Sequence, residues 1–318
     1  MISEIRIGTL SVADLAVALR FYVQGLGYEL RARGPLPAEI SAAWRIPAGV
    51  SGECALLAAP GSDTGMLRLV AWSRPGPDAW AGYARGQDAG HFALNYRVRD
   101  LYAAVARLAP LGLTAPPWAP GARREPPTPY HWVLHDVEVW DSMSLDATGA
   151  LLDIYEIVKG PELLGSLAGD VSPVETMAIH VTDALRSRAF YEGLGYGLWY
   201  EQLVEPQAFL GMPPGSSIHN INLMQGGTTV PGRIELAQRI GEGDVHPMAQ
   251  RAVPPATGYL SVSFETDDLA VASKLALALG ATPVAGGAPV AADLPGLGRV
   301  RLAVFLGPDG EALELYQR

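Results

Sequence analysis

The chain has 318 residues, 49% of them hydrophobic and 18% charged, with a formal net charge of -10 and a pI near 5.1. That is ample for two globular domains, the wrong composition for a disordered chain, and an acidic balance that argues against nucleic acid or an anionic membrane surface as partner. A single cysteine, Cys54, excludes an internal disulfide and a cysteine-rich metal site, and reads as a small buried hydrophobe.

The N-terminus alternates as a strand from its first residues and shows no basic-then-apolar leader. No apolar run is long enough to span a bilayer, so a cytoplasmic protein is expected. The first strand, residues 5–12, runs into Asp14, whose carboxylate can accept the free N–H groups of a helix start. Leu15, Ala18, Leu19 and Tyr22 then fall on one helical stripe. A closing strand begins at Gly65 and carries Arg68. Residues 72–89 lead to a second unit, which opens at 91–98, caps its helix with Asp100 and closes from Gly149 through Asp153 and Tyr155. Inside it, the Pro- and Gly-rich stretch 116–130, with Arg123 and Arg124, reads as a lid or as a solvated connector. Residues 158–173 join the halves.

A third unit opens at 174–181, uses Asp183 as cap and closes from Gly232 through Glu235. The fourth opens at 259–266 with Asp267 or Asp268 as cap. Its stripe of Leu269, Ala272, Leu275, Ala276 and Leu279 ends at Gly280. It closes from Gly310 through Glu314 and Tyr316, after a Gly307-Pro308-Asp309 turn.

The halves are copies. Val12, Asp14, Phe21 and Tyr22 recur 169 residues on as Val181, Asp183, Phe190 and Tyr191. Gly25, Leu26, Gly27 and Tyr28 recur 168 residues on as Gly193, Leu194, Gly195 and Tyr196, so one residue is lost between the two groups.

Four β-α-β-β-β units, helices ending in a Phe-Tyr followed by Leu-Gly-Tyr, and a closing Pro308-Asp309-Gly310 with Glu314-Leu315-Tyr316 together resemble the vicinal oxygen chelate superfamily. That group includes glyoxalase I, extradiol dioxygenases and bleomycin-binding proteins. The resemblance implies an α+β fold of four βαβββ modules paired into two half-open, cup-shaped sheets. On the two-domain pattern, modules one and two form a domain over 1–160, and modules three and four a domain over 171–318.

Metal-using members of the superfamily carry a His seven residues before the Asp cap and a Glu on the closing strand. In the first half these slots hold Ile7, Ala93, Arg68 and Asp153, a set that implies a ligand-free cup. His91 lies two residues before Ala93 and on a regular strand would share its face, as a remnant pair with Asp153. In the second half both carboxylates are kept, Glu235 and Glu314, while Thr176 and Ser261 stand where His is expected. His180 lies on the face of Thr176, and His219 lies on a middle strand where dioxygenases place a proton-transfer His.

The resemblance therefore implies an enzyme acting on an aromatic or carbonyl compound, of lyase, isomerase or extradiol-dioxygenase type. Its catalytic groups would be His219, His180, Glu314 and Glu235, and its usual metal site is degenerate. A divalent iron, manganese or zinc would be held by Glu235, Glu314 and His180. The alternative is a metal-free ligand-binding protein of the bleomycin-resistance kind. The expected partner is a small molecule, with no nucleic acid and no membrane, and a homodimer stays open. His131 and His135 line the first cup or sit on the surface. Trp44, Trp72, Trp80, Trp118, Trp132, Trp140 and Trp199, with Tyr96, Tyr155 and Tyr316, line a pocket or fill cores.

Overall fold

A computed structural model describes residues 1–78, 88–118, 126–160, 167–205, 210–226, 231–243, 246–247 and 250–318. Unit one contains β1 (Ile2–Val12), α1 (Leu15–Leu19), β2 (Glu29–Pro35), β3 (Gly52–Ala58) and β4 (Met66–Trp72). Unit two contains β5 (Asp88–Arg97), α2 (Leu101–Leu108), β6 (Tyr130–Leu134), β7 (Val137–Leu145) and β8 (Leu151–Lys159). Unit three contains β9 (Thr176–His180), α3 (Ala184–Gly193), β10 (Tyr196–Val204), β11 (Ser217–Gln225) and β12 (Arg233–Ile240), followed by the short β13 (His246–Pro247). Unit four contains β14 (Gly258–Thr266), α4 (Leu269–Ala278), β15 (Thr282–Pro283), β16 (Val290–Leu294), β17 (Gly298–Leu306) and β18 (Ala312–Gln317).

Each helix starts on its aspartate. Asp14 accepts from the N–H of Ala16 and Val17, Asp100 from Ala103, and Asp183 from Leu185 and Arg186. Asp268, rather than Asp267, accepts from Val271. The extra residue in the first copy of the repeat also has a structural form. α1 runs on as a π-helical segment, Arg20–Leu26, whereas α3 is α-helical throughout. One residue inserted into a helix is absorbed by a wider turn, and Phe21-Tyr22 and Gly25-Leu26 stay in step on either side of it.

The strands form two nine-stranded sheets. The outer sheet runs β15-β17-β18-β14-β1-β4-β3-β2, and the inner runs β10-β11-β12-β9-β5-β8-β7-β6. Unit one thus shares a sheet with unit four, and unit two with unit three. The expected grouping of one with two and three with four is not how the sheets are built. Each opening strand pairs in parallel with its own closing strand and leaves one edge free: β1 with β4, β5 with β8, β9 with β12, β14 with β18. A free edge takes the next strand that can reach it. β9 is the next strand after β8 and pairs antiparallel with β5, placing Ala93 opposite Ala178. β14 then closes on β1, placing Thr9 opposite Ser261.

The sheets meet through their convex faces and share one apolar core. A Cβ on Gly8 of β1 would lie 3.1 Å from the Leu94 side chain of β5. Tyr259 of β14 donates to the carbonyl of Leu151 at 2.6 Å. The repeated tyrosines bridge the sheets in equivalent ways. The Tyr22 hydroxyl donates to Asp146 Oδ2 at 2.7 Å, and that of Tyr191 donates to Glu311 Oε1 at 2.7 Å. Each ties a helix of one sheet to the turn before the closing strand of the other. Among the described residues no helix is long and apolar enough to cross a membrane.

Candidate active site in the inner cup

The two concave faces differ. The outer one is filled by the segment after β2, which packs Ile40, Ala43 and Trp44 against Trp72, Leu260 and Tyr316. Glu314 lies beneath it at 0% exposure. Its carboxylate accepts from Trp44 Nε1 at 2.7 Å and Ser263 Oγ at 2.8 Å, and pairs with Arg68 at 3.1 Å. The Arg68 guanidinium lies 5.1 Å from the Trp44 ring. A charge buried this deeply persists because it is paired and hydrogen-bonded, and here the partners all come from the chain itself. Cys54 belongs to the same apolar cluster, and burial pushes its thiol up.

The inner cup is open. One lobe, about 530 Å³ including its mouth, is lined by Asn95, Trp132, Asp141, Asp153, Tyr155, Thr176, Trp199, Tyr200, Arg233 and Glu235 among others. A second, about 570 Å³, shares Asn95, Trp132, Asp141, Asp153 and Glu235, and adds Phe92, Tyr130, His180 and Asn220. The shared residues form the floor. Strand alternation puts them there: Asp153 and Tyr155 on β8, Glu235 and Arg233 on β12, Thr176 and His180 on β9.

Three carboxyls lie on this floor, and burial raises the pKa of each, that of Asp153 well above its ordinary value. Asp141 and Asp153 act on one another, so the two buried carboxyls titrate as a pair that takes up a proton more readily than a lone carboxyl. Their surroundings decide which of them holds it. Asp141 is 3% exposed and accepts from Trp132 Nε1 at 2.8 Å and from the Tyr130 hydroxyl. Asp153 receives no N–H or O–H from the described residues, and burial and the Asp141 charge hold its pKa well above the ordinary value. Asp153 is therefore the member that takes up a proton more readily. Glu235 accepts from Asn220 Nδ2 and, at 3.2 Å, from Asn95 Nδ2. Burial raises it, while those amides and Arg233 pull it back.

Beyond Glu235 the floor turns basic. Arg233 and Arg97 share one carboxylate, Glu175, at 3.3 and 2.9 Å. The Tyr155 hydroxyl donates to the same Glu175 at 2.6 Å. The Arg233 guanidinium stacks on Trp199, 4.6 Å from the ring centre.

The residues singled out in the sequence are thus divided. Glu235 and His180 share the inner cup, where His180 stacks on Phe92 at 3.9 Å. Glu314 lies in the other sheet. His219 points away from the cup-lining Asn220 and hydrogen-bonds Glu201 at 2.6 Å, in a cluster with Arg188. His91 does not pair with Asp153. A bulge between His91 and Ala93 turns the imidazole toward the outer sheet, where Nε2 lies 3.0 Å from the Ala312 carbonyl. His131 is exposed beside Trp140. His135 stacks on Tyr200 in the β6–β7 turn. Trp132, Trp199 and Tyr155 line the cup, whereas Trp44, Trp72 and Tyr316 fill the outer one. Trp80, Arg123 and Arg124 lie outside the described residues.

Asp141, Asn95, Asn220 and Arg233 carried no flag in the sequence. The alternation that puts Arg233 on the face of Glu235 was readable there. Asp141, on a middle strand with no repeat counterpart, was not. Among the described residues no group of three or more His, Cys, Asp or Glu is placed to hold a metal ion.

No family profile matches the sequence, and no curated protein matches it. By structure it is similar to glyoxalase I from Zea mays, at 17% identity and a TM-score of 0.62, over 99% of this chain and 92% of that one. It is also similar to a candidate dioxygenase from Bacillus subtilis, at 12% identity and a TM-score of 0.60, over 99% of this chain and 84% of that one. At these identities the likeness is one of fold. The chain has the fold of these two structures along almost its whole length.

Proposed function

We propose that the inner cup is a small-molecule active site that moves protons on an aromatic or carbonyl compound, as a lyase or isomerase does. Asp153 is the acid and Glu235 the base. The observation that carries this reading is the asymmetry of the Asp141–Asp153 pair, in which one carboxyl has its hydrogen bonds from the protein and the other takes up a proton more readily and faces the cup. Two carboxyls held in different environments are the arrangement that lets one give a proton while the other accepts one.

The donor set does not fit a resident divalent metal. Of the four slot positions in this cup, Ala93 has no donor atom and Thr176 only a hydroxyl. Asp153 takes up a proton readily, and Glu235 is engaged by two amides. Metal sites in this geometry need deprotonated ligands converging from several strands. The chemistry is accordingly assigned to the carboxyls alone.

The test is solvent-deuterium exchange into aromatic carbonyl compounds with an acidic C–H, phenylacetone and phenylpyruvate, followed by NMR in D2O. The protein should accelerate exchange with or without prior treatment with a chelator. Asp153→Asn and Glu235→Gln should each lose roughly 10²- to 10⁴-fold, the usual weight of one acid or base. The aromatic walls Trp132, Trp199 and Tyr200 support a second reading, a protein that sequesters a flat ligand. A ligand-dependent rise in melting temperature with no exchange would favour it.

A further inference from the structure

We infer that Arg233 is the residue that selects the substrate, and that the compound taken by the inner cup is a small monocarboxylate with a flat body. This rests on the inner cup being the working site and adds the chemical class of what enters it.

Arg233 is 6% exposed, yet lines the first lobe. Among the described residues one guanidinium nitrogen is engaged: Nη2 donates to the Tyr155 hydroxyl at 3.1 Å and to Glu175 at 3.3 Å. Nε is buried with no partner, and Nη1 makes no hydrogen bond among the described residues. Arg97 and Arg233 both pair with Glu175, and Arg233 also faces Glu235. A buried guanidinium with donors to spare, fixed flat on an indole, is a fork for a planar anion.

Its place in the strand sets what that anion does. Arg233 and Glu235 are two residues apart on β12, so their side chains leave the sheet roughly 7 Å apart on one face. Tyr155 and Asp153 repeat that spacing on β8. Arg233 meets the Tyr155 hydroxyl at 3.1 Å, and the register through β9 and β5 sets Arg233 level with Asp153 and Glu235 level with Ala93. A carboxylate held by Arg233 presents the carbons next to it to Asp153 and Glu235, which line the same lobe. Trp132 and Trp199 flank the space between.

The probe is a matched trio of equal shape, benzoate, benzamide and benzamidine, titrated into the full chain by calorimetry. Benzoate should bind at least tenfold tighter than benzamide, and benzamidine weakest. Arg233→Gln should cost benzoate tenfold or more and leave benzamide within about twofold, while Arg233→Lys restores part of the loss. The ranking on the unaltered chain stands even if a variant fails to fold. Preference for benzamidine, or benzoate affinity unmoved by Arg233→Gln, would overturn the assignment of Arg233 while leaving the cup as a ring-binding site. Failure of all three to bind would overturn the assignment together with the reading of the cup.

Discussion

Asp153 and Glu314 hold equivalent positions on closing strands of the same design, and their neighbours make them different groups. Glu314 has Arg68, Trp44 and Ser263 on its oxygens. Asp153 has another carboxyl beside it and, among the described residues, no donor. The slot positions were legible in the sequence because they follow a turn signature. Which of them would be plugged was not, because Trp44 reaches Glu314 across 270 residues of chain. Exchange activity should fall toward alkaline pH as Asp153 loses its proton and toward acid pH as Glu235 gains one. Both limits should lie above those of ordinary carboxyls, and Asp153→Asn should abolish the alkaline limb of the rate profile. His91 gives a stability test. Burial lowers its pKa to about 4, against 6.5 in an unfolded chain. Its contribution is complete above pH 6.5 and is lost progressively as pH falls to about 4, where the unfolded chain binds the extra proton. Glu311, raised to about 7, acts in the opposite sense, losing its contribution as pH rises from 4.5. The difference in unfolding free energy between the wild type and His91→Gln isolates the histidine. By urea titration it should grow by about 3 kcal/mol between pH 4 and 7.

At the scale of elements, the helices were legible almost to the residue, because an aspartate cap and an apolar stripe are local signals. The change of offset within the repeat was equally visible, yet its meaning as a π-turn was not, since one inserted residue can also lengthen a loop. The bulge at His91 escaped for a related reason: alternation predicts faces only where register is unbroken. The repeated Phe-Tyr pair marks a structural bridge rather than a site. Tyr22→Phe leaves Asp146 Oδ2 without its donor, and Tyr191→Phe does the same to Glu311 Oε1. Each substitution should cost about 1–3 kcal/mol by chemical denaturation. Because they act at separate bridges, the double variant should lose close to the sum.

The whole molecule is nested, with units two and three forming one sheet inside a sequence that units one and four begin and end. Internal similarity reveals which segments descend from one pattern, but not which free edges find each other, and so the halves of the sequence are not the sheets of the fold. A fragment of residues 1–160 leaves the edges of β1 and β5 without β14 and β9. It should show no cooperative melt by circular dichroism, whereas both fragments expressed together should recover one. The same nesting separates Glu235 from Glu314, and the proposed chemistry is assigned to a cup drawn from both halves. That claim is tested most directly by measuring deuterium exchange for the wild type, Glu235→Gln and Trp44→Phe side by side, per folded molecule. The inner-cup substitution should remove exchange, and the outer-cup one should lower the melting temperature while leaving exchange unchanged. Exchange that survives Glu235→Gln and changes with Trp44→Phe would place the chemistry in the outer cup and contradict the account.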